Sequence, residues 1–373
     1  MKEHAGTCIP PGIPRFPGQT APGLIIVLCL LIALGPEARA ENPVPGTLNS
    51  PLVVTDMAGR QVRLASPARR IVTTFKPATL AVFCLGLGSR LVGVDNSSHR
   101  DRLHRQLFPD IAGVAGVGRK STGINFETLA HLAPDLVVLY AQKDGLALAR
   151  RLAQLNIAAV VIKPESFESV RDALAVIAAA AGVEERMSVV DTAMADILNT
   201  LDNGLAGLPE GKRYTGYFAA PQGVFSTATG QMLQHEIFLR AGVDNVSAGL
   251  TGYFQTISPE QLIRWNPEII VLSRHMKSGA AAPLAGPAVK RIRAVASGRV
   301  YRCPSTLSPW DFPSPLSVLA SLWLAKTLYP ERFVDLNIQD TADAFHRTLF
   351  GRTLTEMGGR LDTPERGTTG AIK

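Results

Sequence analysis

The apolar positions along the chain fall into short runs and longer stripes, and each kind predicts an element. From Glu184 to Leu205, Met187, Val190, Met194, Ile197, Leu201 and Leu205 recur every three or four residues, with Asp191, Asp196 and Asp202 largely off the stripe. Between Gly182 and Gly204 the stretch contains no glycine or proline. The spacing predicts one continuous helix, a rod of roughly 30 Å that is long enough to join two lobes. A single unbroken helix also resists bending, so large closure between the lobes is not expected.

The segments before and after this rod share a grammar. Val53 to Leu64 alternates around Asp56-Met57-Ala58-Gly59 and reads as a β-hairpin. Strands at Arg70 to Phe75, Leu91 to Asp95, Asp135 to Tyr140 and Ala159 to Ile162 alternate with helices at Pro77 to Leu85, Gly145 to Leu155 and Phe167 to Ala181. Beyond the rod, strands at Tyr214 to Phe218, Glu268 to Leu272 and Arg299 to Tyr301 alternate with helices at Gln231 to Ala241 and Pro259 to Trp265. Helices at Ser314 to Leu328 and Thr341 to Leu349 close the pattern. This predicts an α/β protein with mostly parallel sheets. The organisation read from it is a first lobe over 52–183 including the hairpin, a linker helix over 184–206, a second lobe over 207–350 and a flexible tail over 351–373.

An internal repeat supports the pairing of lobes. Phe126-Glu127-Thr128-Leu129 through Pro134-Asp135 to Leu139 returns as Pro259-Glu260-Gln261-Leu262 through Pro267-Glu268 to Leu272, with the glutamate, leucine, proline, acid and apolar run at one constant offset. Each copy reads as a short helix, a proline stop and a buried strand; one repeat at so long a period suggests two lobes and not a solenoid.

At the front, the apolar run Leu24 to Leu34 lies between upstream Lys2 and Arg15 and a downstream Ala38-Arg39-Ala40. That is the pattern of a cleaved secretory signal over 1–40, too short for an anchor helix, so the expected location is the periplasm. Cys29 raises a lipoprotein as the alternative, against which Leu28 stands where a small residue is needed.

Composition adds little about fold but narrows function. The 373 residues are 46% hydrophobic and 18% charged, enough for one large or two moderate cores, and the net charge of +7 favours an anionic ligand or surface. The Lys/Arg residues are scattered, so nucleic acid is not an expected partner. Beyond residue 40 only Cys84 and Cys303 remain, which excludes a disulfide framework and a CxxC metal knuckle.

In open parallel sheets ligands sit beyond the carboxyl ends of strands. The loops there carry Lys76, Arg119, Lys120, Lys143, Arg274, His275 and Lys277, with Tyr140, Tyr253, Phe254 and Trp310 among them. Cations would hold carboxylate, phosphate or catecholate oxygens, and rings would cover an apolar ligand body. The ligand-binding candidates are therefore Lys76, Arg119, Lys120, Tyr140, Tyr253, Arg274, His275 and Trp310. His99, His275 and Asp311 form the one candidate metal set, which would serve a receptor for a bare metal ion. Gly86-Leu87-Gly88 follows a helix and lacks the third glycine of a dinucleotide fingerprint, so it reads as a helix-ending turn. Without a nucleophile elbow or a Walker loop, no catalytic residue and no cofactor is assigned.

Several segments, in order, resemble the helical-backbone (class III) periplasmic binding proteins of ABC importers. They are the hairpin with Arg70-Ile71-Val72, the stretch Leu85-Gly86-Leu87-Gly88-Ser89-Arg90-Leu91-Val92-Gly93-Val94, Asn125-Phe126-Glu127 with Pro134-Asp135-Leu136-Val137, and Gly298-Arg299-Val300-Tyr301. The resemblance covers roughly residues 52–350. It implies two Rossmann-like lobes joined by one long helix, a monomer, no enzymatic activity, and delivery of a captured solute to a permease dimer in the inner membrane. Ligands of that family include ferric siderophores, haem, cobalamin and, in some branches, oxyanions such as molybdate. A metal complex is the expected ligand, a ferric siderophore first; an oxyanion, a bare metal ion or a secreted enzyme on the same frame are the alternatives. The resemblance also implies that Glu127 and Glu260 face arginines of the permease.

Overall fold

The computed structural model describes residues 51–361 apart from 120–122 and 143; the side chains of Arg119 and Glu210 are also outside the description. The leader expected over 1–40, and the candidates Lys120 and Lys143, therefore lie outside the described residues.

The chain begins with an antiparallel hairpin, β1 (Leu52–Thr55) and β2 (Gln61–Leu64). Then come β3 (Ile71–Thr73), α1 (Lys76–Cys84), β4 (Leu91–Val94), α2 (Arg102–Leu107) and the two-residue strands β5 (Ala115–Gly116), β6 (Gly118–Arg119) and β7 (Gly123–Ile124). The first lobe is completed by α3 (Phe126–His131), β8 (Leu136–Tyr140), α4 (Gly145–Gln154), β9 (Ala159–Ile162) and α5 (Phe167–Ala181). Its sheet has the order β5-β4-β3-β8-β9, parallel throughout. All four residues of β9 and four of the five in β8 are buried, as helices on both faces of a parallel sheet demand. The hairpin covers the edge at β9: Met57 N donates to Val161 O (3.1 Å), and Val161 N donates to the Asp56 carboxylate (2.9 Å).

A 3₁₀ turn at Glu184–Arg186 runs into α6 (Met187–Leu205). The predicted stripe is its buried face: Met187, Val190, Met194, Ile197 and Leu201 are all at least 91% buried, whereas Asp196 and Asp202 are exposed. Each such side chain contributes about 1.5–3 kcal/mol relative to exposure.

The second lobe continues with β10 (Tyr214–Ala219), β11 (Ser226–Thr227), α7 (Leu233–Arg240), β12 (Val243–Asn245), β13 (Gln255–Thr256), α8 (Pro259–Trp265), β14 (Ile269–Leu272), α9 (Arg293–Ala296) and β15 (Val300–Arg302). Then α10 (Ser317–Leu328) and α11 (Ile338–Phe350) pack on α6. The parallel part of its sheet, β12-β10-β14-β15, matches β4-β3-β8-β9 strand for strand. The fold is thus α/β, with two lobes of the same topology.

The internal repeat has the same backbone in both copies. Asn125 and Ser258 cap α3 and α8, accepting from the N–H groups of Thr128 and Gln261 at 3.0 and 3.2 Å. Leu129 and Leu262 are fully buried. Ala133 and Asn266, each just before the repeat's proline, adopt left-handed φ values of 43° and 44°. The acid that follows staples the sheet: Asp135 accepts from Arg70 N, just before β3, and Glu268 from Thr215 N in β10, both at 2.8 Å and each one residue before the paired register begins.

One expectation is corrected. Residues 351–361, assigned to a flexible tail, are packed: Leu354 and Met357 are buried in the main core, and Thr306 N donates to Arg360 O (3.0 Å). The surrounding glycines and threonines hide these two anchors in the sequence.

His346 on α11 gives the core a pH dependence. It is fully buried, donates through Nδ1 to Ala342 O (2.7 Å) and leaves Nε2 without a partner; burial lowers its pKa from 6.5 to about 4. Between those values the unfolded chain binds a proton that the fold refuses, so this residue makes stability fall as pH drops through that window and adds no slope above it. Urea midpoints at pH 7 and 5 should show a smaller loss for His346→Phe than for the wild type, by roughly 1–3 kcal/mol. Equal losses in both would assign the slope to other groups.

Candidate functional site

The carboxyl ends of the strands of both sheets border a cavity of about 550 Å³. From the first lobe it is lined by Phe75, Lys76 and Pro77 after β3, Asp95 and Ser97 after β4, Tyr140 at the end of β8 and Gln142 after it, and Glu165 after β9. The second lobe contributes Gln222, Met232, Gln234, Phe254, Phe312 and Pro313. Among the described residues the lining is mixed: rings, three amides, one lysine and two carboxylates.

Local sequence sets each wall. Pro77 in the first turn of α1 needs no N–H there, and Phe75 before it is extended, which aims Lys76 into the cavity. Lys76 Nζ lies 3.3 Å from Asp101 Oδ2, 3.1 Å from His275 Nε2 and 5.6 Å from the centre of the Phe312 ring. Asp101 is itself the cap of α2, accepting from Leu103 N and His104 N. Burial disfavours its charge, but His104, Lys76 and the His104 N–H outweigh that and hold its pKa below the usual carboxylate value. Asp95 accepts from Ser97 N and from the hydroxyls of Ser97 and Ser98, which fixes its carboxylate at the wall.

Phe75 stacks on Tyr140 at 4.8 Å and 16°, and Tyr253 from the other lobe meets Tyr140 edge-on at 6.5 Å. Gln142 Nε2 donates to Tyr140 Oη (2.7 Å) and reaches Glu165 (3.3 Å). On the opposite wall Gln234 Nε2 donates to Asp311 O (2.8 Å), which orients the amide; its Oε1 has no partner.

Of the eight ligand candidates, the structure places Lys76 and Tyr140 in the wall, with Tyr253 behind Tyr140 and beside Phe254. His275 is at the rim and exposed as a residue, but its ring is wedged between Lys76 and the edge of Phe312 at 4.8 Å. Burial of the imidazole and the Lys76 charge lower its pKa to about 4. Arg274 is half-buried beneath, its backbone N–H directed to Asp311 Oδ2 (3.3 Å). Arg119 lies in β6.

One expectation fails, and one alternative finds no support. Trp310 is fully buried, so its ring has no face toward the cavity; its neighbour Phe312 supplies that ring instead. The metal set does not converge: His99 Nε2 bonds Val114 O (2.9 Å), Lys76 occupies His275 Nε2, and Asp311 is buried with its pKa pushed up to about 6 by burial. Among the described residues, no three His, Cys, Asp or Glu side chains are placed to hold an ion.

Most of the lining was not singled out by sequence. Phe75, Asp95, Ser97, Gln142, Gln222 and Phe312 follow strands as the candidates do, but Asp95, Ser97, Gln142 and Gln222 are neither cationic nor aromatic, and the rings chosen were Tyr140, Tyr253 and Trp310 instead of Phe75 and Phe312. Glu165 lies just before α5, and Met232 and Gln234 at the start of α7, where no candidate was sought. Glu127 and Glu260 lie in the first turns of α3 and α8, both exposed.

The chain matches known proteins over most of its length. The family described as periplasmic binding protein matches residues 71–307. The molybdate-binding protein MolA of Haemophilus influenzae is 24% identical, over 87% of this chain and 97% of its own. Its molybdate-bound structure has a TM-score of 0.72 at 21% identity, covering 81% and 98% of the two chains. The CeuE structure of Helicobacter pylori in its Ni–His complex also gives 0.72, at 20% identity over 83% and 98%. The vitamin B12-binding protein of Vibrio parahaemolyticus is 24% identical over 57% of this chain and 73% of its own. With two lobes of one topology, strand ends bordering a cavity and a family match across both, the chain belongs to the periplasmic binding proteins, the substrate-binding proteins of ABC importers.

Proposed function

We propose that this protein captures an organic metal chelate bearing anionic oxygens, a ferric siderophore or a chelate of similar size such as haem or cobalamin, and delivers it to its permease. The observation that carries this reading is the cavity. At about 550 Å³ it falls within the roughly 300–1,000 Å³ of organic-ligand sites, and a single tetrahedral oxyanion would leave most of it empty. Phe75, Tyr140, Phe254 and Phe312 suit a flat apolar body, Gln142 and Gln222 suit polar substituents, and Lys76 suits an anionic oxygen. A second reading, an oxyanion receptor, is favoured by the similarity to MolA and by Lys76 at the start of α1.

Titration calorimetry with ferric siderophores, haem, cobalamin and molybdate is expected to show saturable binding of one chelate class. Lys76→Ala should weaken it roughly ten- to a hundredfold, the effect of losing one charged hydrogen bond. Binding of molybdate alone would select the second reading, and undiminished binding by Lys76→Ala would remove the lysine from the site.

We further assign Glu127 and Glu260 to permease docking. Matched in sequence, backbone and exposure, they present one carboxylate on each lobe to a two-fold partner. Contacts of this kind govern orientation and association rate. The double variant Glu127→Lys, Glu260→Lys should keep ligand affinity and melting temperature while losing uptake and receptor-stimulated ATP hydrolysis with the cognate permease. Wild-type uptake by that variant would leave helix-start stabilisation as the role of both residues.

A further inference from the structure

Two helices from opposite lobes meet behind the cavity wall. The first N–H groups of α5 have no partner inside the helix. Ser166, the cap, satisfies Ser169 N at 3.0 Å. Phe167 N donates to Glu236 Oε2 on α7, at 2.6 Å. Glu236 is half-buried; burial raises its carboxyl pKa, and the Phe167 N–H and Arg240 draw it back. The positive end of α5 further favours a carboxylate in that place.

The location gives the contact its importance. Glu165, two residues before Phe167, lines the first-lobe wall of the cavity, and Gln234, two residues before Glu236, lines the second-lobe wall. Of the other polar ties between the lobes, Arg102 to Thr306 O at 3.1 Å and Arg352 to Gln106 O at 3.0 Å are exposed and away from these walls, whereas Lys76 Nζ to His275 Nε2 at 3.1 Å lies at the rim.

We propose that Glu236 is a positioning residue that clamps the two walls of the cavity through the N-terminus of α5, fixing the width of the cleft before any ligand arrives. This inference is independent of which ligand binds. A carboxylate on a helix-start N–H is a charge-assisted bond, stronger than a neutral one and directional. The linker helix and the core shared by both lobes set their general placement, and the Glu236–Phe167 bond adds a directional polar contact between the two walls, away from the axis of α6.

The test uses paired spin labels on Glu127→Cys and Glu260→Cys in the full chain with Cys8→Ser and Cys29→Ser; Cys84 and Cys303 are buried and do not react. Without ligand, the parent should give one narrow inter-label distance. Adding Glu236→Ala should broaden or lengthen it and raise exchange of the Phe167 amide roughly tenfold or more, whereas Glu236→Gln, which keeps an acceptor, should largely restore both. Glu236→Leu, which keeps the volume without an acceptor, carries the same test if the alanine variant does not fold. An unchanged distance distribution despite faster Phe167 exchange, or a change only in melting temperature, would make Glu236 a local helix cap and overturn the clamp.

Discussion

A parallel strand cannot turn back on itself, so each must be followed by a helix that covers the sheet and returns the chain to its start. That constraint places the carboxyl ends of β3, β4, β8 and β9 along one edge, and those of β10, β14 and β15 along another. Backbone polar groups released at those ends need partners or water, so loops gather there. Two such edges border one cavity, whose lining includes residues that follow β3, β4, β8, β9, β10, β12 and β15. The site therefore depends first on sheet topology and only then on the side chains the loops carry.

The repeat is held by the same devices twice. A cap starts each short helix, a left-handed residue ends it, and an acid pins the next strand to its neighbour. Ala133 accepts a left-handed backbone without the local side-chain hydrogen bonds available to Asn266, where Asn266 Oδ1 accepts from Arg293 N (2.9 Å). Around α3, Arg70 supplies part of that support by donating to the carbonyls of Leu132 and Ala133. Chemically different residues thus maintain one geometry in both lobes.

Where local signals and tertiary packing agreed, the sequence was easy to read. The predicted bounds of α5, α8 and β9 coincide with the structure, because Ser166 and Gly182 bracket the first, Ser258 and Asn266 the second, and uninterrupted burial marks the third. Helix α2 escaped notice because Arg102, Arg105 and Gln106 leave little apolar stripe to detect. Strands β11 and β13 are two residues each, and their pairing with each other joins positions about thirty residues apart, which no local pattern encodes. The loops of the site followed from topology, but their contents misled. Charge drew attention to Arg274 and aromaticity to Trp310, and packing turned Trp310 inward while Phe312 took the cavity face. Whether a loop ring faces ligand or core is a property of its neighbours in space.

If Lys76 meets the solute as proposed, the arrangement around it would also act as a filter. An ammonium has three donors, and here one faces Asp101 and another His275, with an aromatic face nearby. Its charge is largely matched before any solute enters. Common salt ions, which offer charge and nothing else, gain little from such a partner. A solute that also fills the rings and amides around it gains from all of them together. By pre-neutralising the one lysine of the described lining, the wall would, on that proposal, reward shape over charge.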